Sequence, residues 1–240
     1  KRNIFPFSKV DVIFLGNSGG KSFFEGKWYD YILQPIMDEY LDMGVKCHYI
    51  ERGLFHKFPR YKPSFLSRGF EEVAHGFAQF CSFFISVKTH LPYIDDFLSD
   101  LVSLEKKMYG KITLSSIKRY VLCIKFIARF YSFILSTTKP RLVYISCYYS
   151  MTGMAMCYAC KEKKIHTVEV QHGNIYNNYA YCGWQKTPQN GYNTLPKIFW
   201  FWSKGDEKEF RKKNSKYFLN KHKYFVGGMP WLPFWQSENL

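Results

Sequence analysis

The sequence predicts an α/β domain on a parallel sheet of about six strands, with helices on both faces and an all-helical insertion in the middle. Three observations predict it. The chain opens on a short apolar strand, a glycine-rich loop, a helix and a second strand. Residues 65–138 carry helical patterns and no clear strand. Beyond Pro140, strand and helix alternate again. Parallel neighbours need a crossover between them, usually a helix, so this alternation is the mark of a doubly wound sheet.

Each element follows from local pattern. Val10-Asp-Val-Ile-Phe-Leu15 is apolar and β-branched, a buried strand that runs into Gly16-Asn-Ser-Gly-Gly20. A helix is expected over 27–43, with Pro35 either kinking it or marking its true start. Gly44 closes it and 45–50 is the second strand. The insertion holds three helical patterns, near 68–87, 93–109 and 112–138. In the last, Ile117, Val121, Ile124, Ala128, Tyr131 and Leu135 fall on one stripe, and Lys111, Lys118, Lys125 and Arg129 on a narrow second one. That basic seam is either simply solvated or touches anionic lipid or substrate. Strands at 142–146, 166–170, 198–202 and 224–226, with helices at 151–163 and 207–213, complete the sheet through right-handed crossovers.

Composition narrows the partners. Hydrophobic residues make up 47% of the 240 and charged residues 22%, a globular balance that excludes long disorder. The net charge of +15 suits nucleic acid, an anionic membrane surface or a phosphorylated substrate. The lysines and arginines are scattered, and no zinc-finger, RNP or KH spacing occurs, so nucleic acid is not expected. Seven cysteines, an odd number spread through apolar stretches, make no disulfide framework, and Cys157-x-x-Cys160 lacks a second ligand pair. No metal and no cofactor are therefore expected, and the expected compartment is a reducing cytoplasm; the positive charge leaves open a peripheral place on the inner face of the membrane. No signal peptide is visible and no run of ~18 uncharged apolar residues predicts a spanning helix. Aromatic residues reach 20%, which either reflects AT-rich codon usage or provides rings for stacking on a sugar.

Ligands of an open parallel sheet bind beyond the carboxyl ends of its strands, and three segments lie there. Gly16-Asn-Ser-Gly-Gly-Lys21 is a loop whose Asn17, Ser18, Gly19 and Gly20 allow close approach of a ligand and whose Lys21 can meet a phosphate; a plain tight turn is the alternative. Glu51, ending the second strand, either bonds a hydroxyl or pairs with Arg52. The third segment, Val168-Glu-Val-Gln-His-Gly173, places His172 at the rim, with Gly173 to turn the chain. A near-neutral pKa equips His172 as a general base or a phosphate ligand. Glu169 and Gln171 share one face of this strand. The polar, aromatic loop from 174 to 195 brings Tyr176, Tyr179, Tyr181, Trp184 and Tyr192, rings beside amides as a sugar face requires, unless they pack against a neighbouring domain.

Gly26-Lys-Trp-Tyr-Asp30, Leu33-Gln-Pro-Ile36 and Tyr49-Ile-Glu51 resemble the opening of the GT-B glycosyltransferases that build bacterial capsule and lipopolysaccharide. Val168–Gly173, the tyrosine-rich loop, Pro196, Trp200-Phe-Trp-Ser203 and Val226-Gly-Gly-Met-Pro-Trp231 resemble the later part of their N-terminal domain. The resemblance covers most of the chain, and Gln171-His172-Gly173 is its most specific piece. It implies a single Rossmann-like, acceptor-side domain over 1–240 facing a second domain, expected beyond Leu240, that binds the nucleotide-sugar donor. It further implies transfer of a sugar to a glycan or lipid-linked acceptor, which the positive charge suggests is anionic. His172 would activate the acceptor hydroxyl or steady the donor phosphate. Glu169 would orient His172, although alternation puts them on different faces unless the turn rotates one. Asn17, Ser18 and Gly19 would line the acceptor cleft. The alternative is a non-catalytic domain that binds an anionic glycan or a nucleotide.

Overall fold

The computed structural model describes residues 8–17, 20–52, 65–66, 68–84, 114–176, 178–185 and 187–237. Its elements in chain order are β1 (Val12–Asn17), β2 (Lys21–Phe24), β3 (Lys27–Asp30), α1 (Gln34–Asp42), β4 (Cys47–Arg52), β5 (Phe65–Leu66), α2 (Arg68–Phe84) and α3 (Leu114–Thr138), then β6 (Leu142–Ser146), α4 (Met151–Glu162), β7 (His166–Val170), β8 (Ile198–Phe201), α5 (Lys204–Lys213), α6 (Lys216–Lys221), β9 (Lys223–Val226) and α7 (Leu232–Ser237). Seven strands form one sheet in the order β5-β4-β1-β6-β7-β8-β9, and every neighbouring pair is parallel. The six expected strands are all present, and β5 adds a two-residue edge beside Ile50 and Glu51.

Alternation along the strands divides the core in two. Val12, Phe14, Tyr49, Tyr144, Val168 and Val170 face α1. Ile13, Leu15, Ile50, Val143, Ile145, Phe199 and Phe201 face the other side, where α3, α4, α5 and α6 cover them. Helices thus lie on both faces. Phe199, Phe201, Phe210 and Phe218 are fully buried and pack together, Phe199 on Phe201 face to face and the others tilted or edge-on, each side chain contributing about 1.5–3 kcal/mol by its burial.

The helix expected over 27–43 is in fact a hairpin followed by a shorter helix. β2 and β3 pair antiparallel around Glu25-Gly26, whose φ values of 45° and 72° are the positive pair that a type I′ turn requires. α1 begins only at Gln34, with Pro35 in its first turn, so proline marks the start and does not kink an interior. The Asp30 carboxylate accepts from the backbone amides of Ile32 and Leu33 at 2.9 and 3.1 Å and so holds the corner between hairpin and helix.

α2 and α3 stand where the helical insertion is expected; the pattern near 93–109 lies outside the described residues. Within α3 the expected stripe is buried at Ile124, Ala128, Tyr131 and Leu135 and half-buried at Ile117 and Val121, while Lys125 and Arg129 are exposed. Ser116–Thr138 is, by length and composition, apolar enough to cross a membrane, and half of its most apolar stretch is buried against the rest of the fold. Cys157 and Cys160 are free thiols inside the core face of α4.

Candidate functional site

Strand order reverses between β1 and β6: β4 and β5 lie to one side, β7 to β9 to the other. At such a switch point the outgoing loops part and leave a crevice at the carboxyl ends. Asn17 of β1, Arg52 of β4, Ser146 of β6 and Val170 of β7 end the strands that border it.

The floor is built from buried charge. Gly16 is obligatory here, since a Cβ would stand 1.8 Å from the Tyr49 hydroxyl and 2.6 Å from Asp30 Oδ2. The Tyr49 hydroxyl donates to Asp30 Oδ2 at 2.5 Å. Burial pushes the Asp30 carboxyl up from its ordinary range, against the pull of Tyr49 and the Ile32 and Leu33 amides. Lys21, expected either to meet a phosphate or to lie in a plain turn, and Glu51, expected either to bond a hydroxyl or to pair with Arg52, meet each other at 2.8 Å with almost no exposure. Glu51 therefore pairs with the lysine on β2 and not with Arg52, because alternation turns Glu51 and Arg52 to opposite faces. Gly20 sits behind this pair, beside Ile32 and Asp30. Asn17 lies level with Arg52 in the β1–β4 register; Ser18 and Gly19 lie outside the described residues.

Arg52 is the brace of the crevice. Its guanidinium donates through Nη1 to Ser150 Oγ and to Thr152 Oγ1 (3.3 Å), and through Nη2 to the Cys147 carbonyl (2.9 Å). Ser150 is also the N-cap of α4, accepting from the Gly153 amide at 3.0 Å. Gly153 lets the helix approach: a Cβ would stand 2.6 Å from the carbonyl oxygens of both Cys147 and Tyr148. Cys147 itself is held at φ 59°, a left-handed conformation rare for a side chain of this kind. The result is a cation and the positive end of a 12-residue helix at one edge of the crevice.

His172 closes the other edge. The turn after β7 rotates it back, so that Nδ1 comes within 3.6 Å of Glu169 Oε1 despite strand alternation. Nδ1–H donates weakly to the Val170 carbonyl at 3.4 Å, leaving Nε2 to accept from the Tyr149 hydroxyl at 3.0 Å. The two rings stack with centroids 5.6 Å apart. Burial, with a smaller contribution from the Arg52 charge and against the pull of the Val170 carbonyl, lowers the His172 pKa to about 4. Burial also raises the Glu169 carboxyl to about 8, opposed by the Tyr181 hydroxyl that donates to it at 2.9 Å. Tyr149 is pushed up to about 12, chiefly by burial, and so remains a donor. The pair is therefore inverted at neutral pH: the imidazole is uncharged and the carboxyl largely holds a proton.

The remaining expected residues divide between frame and surface. Gln171 is buried and bridges the rim, donating to the Gly173 carbonyl (3.0 Å) and accepting from the Trp202 amide (2.9 Å). At Gly173 no heavy atom within 4 Å opposes a Cβ, so the turn has open space. Of the rings expected to face a sugar, Tyr181 is buried on Glu169, while Trp184 and Tyr192 pack around Phe218. Only Tyr176 and Tyr179 stand exposed, at 51% and 89%. The loop spends most of its aromatic surface on the core because its rings meet the aromatic cluster of β8, α5 and α6. Sequence reasoning missed Arg52 as a site residue, together with Tyr149 and Ser150. The signal was present: Cys147-Tyr-Tyr-Ser150 follows a strand and opens a helix, the same position that singled out the other two loops.

No protein-family model matches the chain, and no curated protein sequence does. Among solved structures, the UDP-GlcNAc 2-epimerase from Methanocaldococcus jannaschii is similar at 11% identity and a TM-score of 0.44, over 90% of this chain and 45% of that one. A protein from Listeria monocytogenes assigned as a UDP-N-acetylglucosamine 2-epimerase is similar at 9% identity and a TM-score of 0.40, over 85% of this chain and 42% of that one. This chain thus spans less than half the length of either.

Proposed function

We propose that the crevice binds the phosphorylated or hydroxyl-rich end of a sugar substrate, and that the chain is the acceptor-side domain of a glycosyltransferase acting with a nucleotide-sugar donor. One observation carries the reading. At the switch point, a buried guanidinium and a capped helix N-terminus face a neutral histidine whose Nε2 accepts from the hydroxyl of a partly exposed tyrosine. The first two suit an anionic group; the third suits a hydroxyl. An acceptor hydroxyl replacing Tyr149 at Nε2 would donate its proton there as its oxygen attacks the anomeric carbon and the nucleoside diphosphate departs. The imidazolium so formed lies beside Glu169 Oε1 and returns its proton to solvent once the product has left. The +15 charge fits an anionic glycan or lipid-linked acceptor at a bacterial membrane surface, in capsule or lipopolysaccharide synthesis.

A second reading has an observation of its own. A histidine pKa of about 4 makes a weak base at neutral pH, which suits a site that holds a hydroxyl without taking its proton. That is the chemistry of a non-catalytic binding domain. A thermal-shift panel of nucleotides, nucleotide-sugars and anionic glycans, run on this chain and on the protein at its full natural length, separates the two. A ligand at 100 times its Kd adds about 2.7 kcal/mol, roughly 5–10 °C for a domain of this size. Stabilisation by one nucleotide-sugar class supports the transferase; a response to glycans alone supports the binding domain; silence to all of them overturns both.

A further inference from the structure

At the opposite, amino-terminal edge of the sheet lies a second cavity of about 220 Å³. It is walled by the end of α4, the starts of β7 and β8, the turn at 190–192 and the end of α6. Lys161, Lys164, Lys197 and Lys221 line it, and among the described residues its lining holds no aspartate or glutamate. By the rise of an α-helix, the 12 residues of α4 put it about 18 Å from the crevice.

The framework of this cavity is held by uncharged backbone partners. Lys161 Nζ donates to the carbonyls of Asn190, Gly191 (3.1 Å) and Tyr192 (3.3 Å). Lys197 Nζ donates to the Lys221 carbonyl at 3.0 Å. His222 locks the same turn: Nδ1–H donates to the Pro196 carbonyl at 2.7 Å, and Nε2 accepts from the Tyr192 amide at 3.1 Å. Carbonyls position the ammonium groups without cancelling their charge. Among the described residues, none of the four lysines has a carboxylate partner. Burial, and after it the charges of Lys197 and Lys221, depress the Lys161 pKa, so the like charges already act on one another. Lysines at the end of a helix ordinarily complement its dipole, which accounts for Lys161 and Lys164. It accounts equally for Lys221 in the last turn of α6, but not for Lys197, which arrives from the approach to β8, nor for the convergence of all four on one cavity.

We propose that this cavity is a binding site for a phosphate-bearing ligand, a diphosphate or phosphomonoester group, separate from the crevice. Such an anion would relieve the repulsion among the four ammonium groups and use the N–H donors that the carbonyls leave over. The group can belong to a free metabolite or to a lipid headgroup, and the test has one arm for each.

Calorimetric titration with inorganic pyrophosphate and sedimentation with phosphatidylglycerol vesicles are run on the wild type and on a Lys164→Gln/Lys221→Gln variant. Neither of those ammonium groups holds a backbone carbonyl, so the frame persists; an unchanged Tm without ligand checks this. Each lysine removed should weaken binding about ten-fold, equivalent to about 1.4 kcal/mol. Loss in the pyrophosphate arm identifies a free phosphate ligand, and loss in the vesicle arm alone identifies a headgroup. Binding in neither arm, or binding that the variant leaves intact, overturns the proposal. Should the variant unfold, amide shifts of the wild type on adding pyrophosphate decide: movement at Lys164, Gly191 and Tyr192 supports the site, and movement elsewhere alone refutes it.

Discussion

Two histidines stand at opposite ends of the sheet, and burial holds the pKa of each near 4. At the amino edge, both ring nitrogens of His222 are taken by backbone groups, the Pro196 carbonyl and the Tyr192 amide. At the carboxyl edge, Nε2 of His172 is taken by the hydroxyl of Tyr149, a side chain 40% exposed. Backbone partners cannot leave without unfolding the turn, whereas a surface hydroxyl can be exchanged for a ligand's. The difference teaches that burial and a displaced pKa do not by themselves mark a functional histidine; an exchangeable partner does.

The largest expected effect tests that distinction directly. His172→Ala should cut turnover of the full-length protein by about 10²–10⁴-fold while the Tm stays near that of the wild type. Unchanged turnover with a lowered Tm would make His172 a second His222. Next comes Gly153→Ala, whose methyl group meets two carbonyl oxygens at 2.6 Å; denaturant unfolding should show a loss of about 3 kcal/mol and a crevice that no longer binds. His222→Ala should cost about 1–3 kcal/mol, by leaving the Tyr192 amide and the Pro196 carbonyl without their partner, and should leave crevice ligands unaffected.

The smallest effect is a slope with pH. Both histidines bind fewer protons folded than unfolded between about 4 and 6.5, so their contribution is complete above 6.5 and is lost as pH falls towards 4. Glu169 works in the other direction. Its folded pKa of about 8 exceeds the ordinary 4.5, so the folded state binds more protons and stability declines as pH rises through that window. Between 6.5 and 8 the histidines have finished titrating, and Glu169→Gln should flatten the decline in urea midpoints measured across it. A slope that survives the substitution would show that Glu169 is not the group responsible.

Much of the fold was legible because its signals are local. Val12–Asn17 and Leu142–Ser146 are short, largely apolar runs and His166–Val170 alternates Val with polar residues, and each is a strand. Residues 27–43 misled because Tyr29, Leu33 and Ile36 keep a helical spacing, while the Glu25-Gly26 turn that makes a hairpin of the preceding segment depends on φ values that no spacing reveals. In the site, Gln-His-Gly at a strand end pointed to His172. The companions of His172 were less visible: Tyr149 is 23 residues away and Arg52 meets Ser150 across 98, pairings that only the parallel order of β4, β1, β6 and β7 creates.

By itself the sequence determined the α/β class and the strands, since periodicity and turn chemistry act over a few residues. It also determined the basic charge. Only the tertiary structure decided what each polar group does. Lys21 and Glu51 have the residue types of a ligand site, yet they neutralise one another because the β2–β3 hairpin folds the lysine inward. Tyr181 has the ring of a sugar platform, yet it is spent on Glu169 because the 174–195 loop packs on the aromatic core. A charge or ring acquires its role from the partner it reaches, and those partners lie far along the chain.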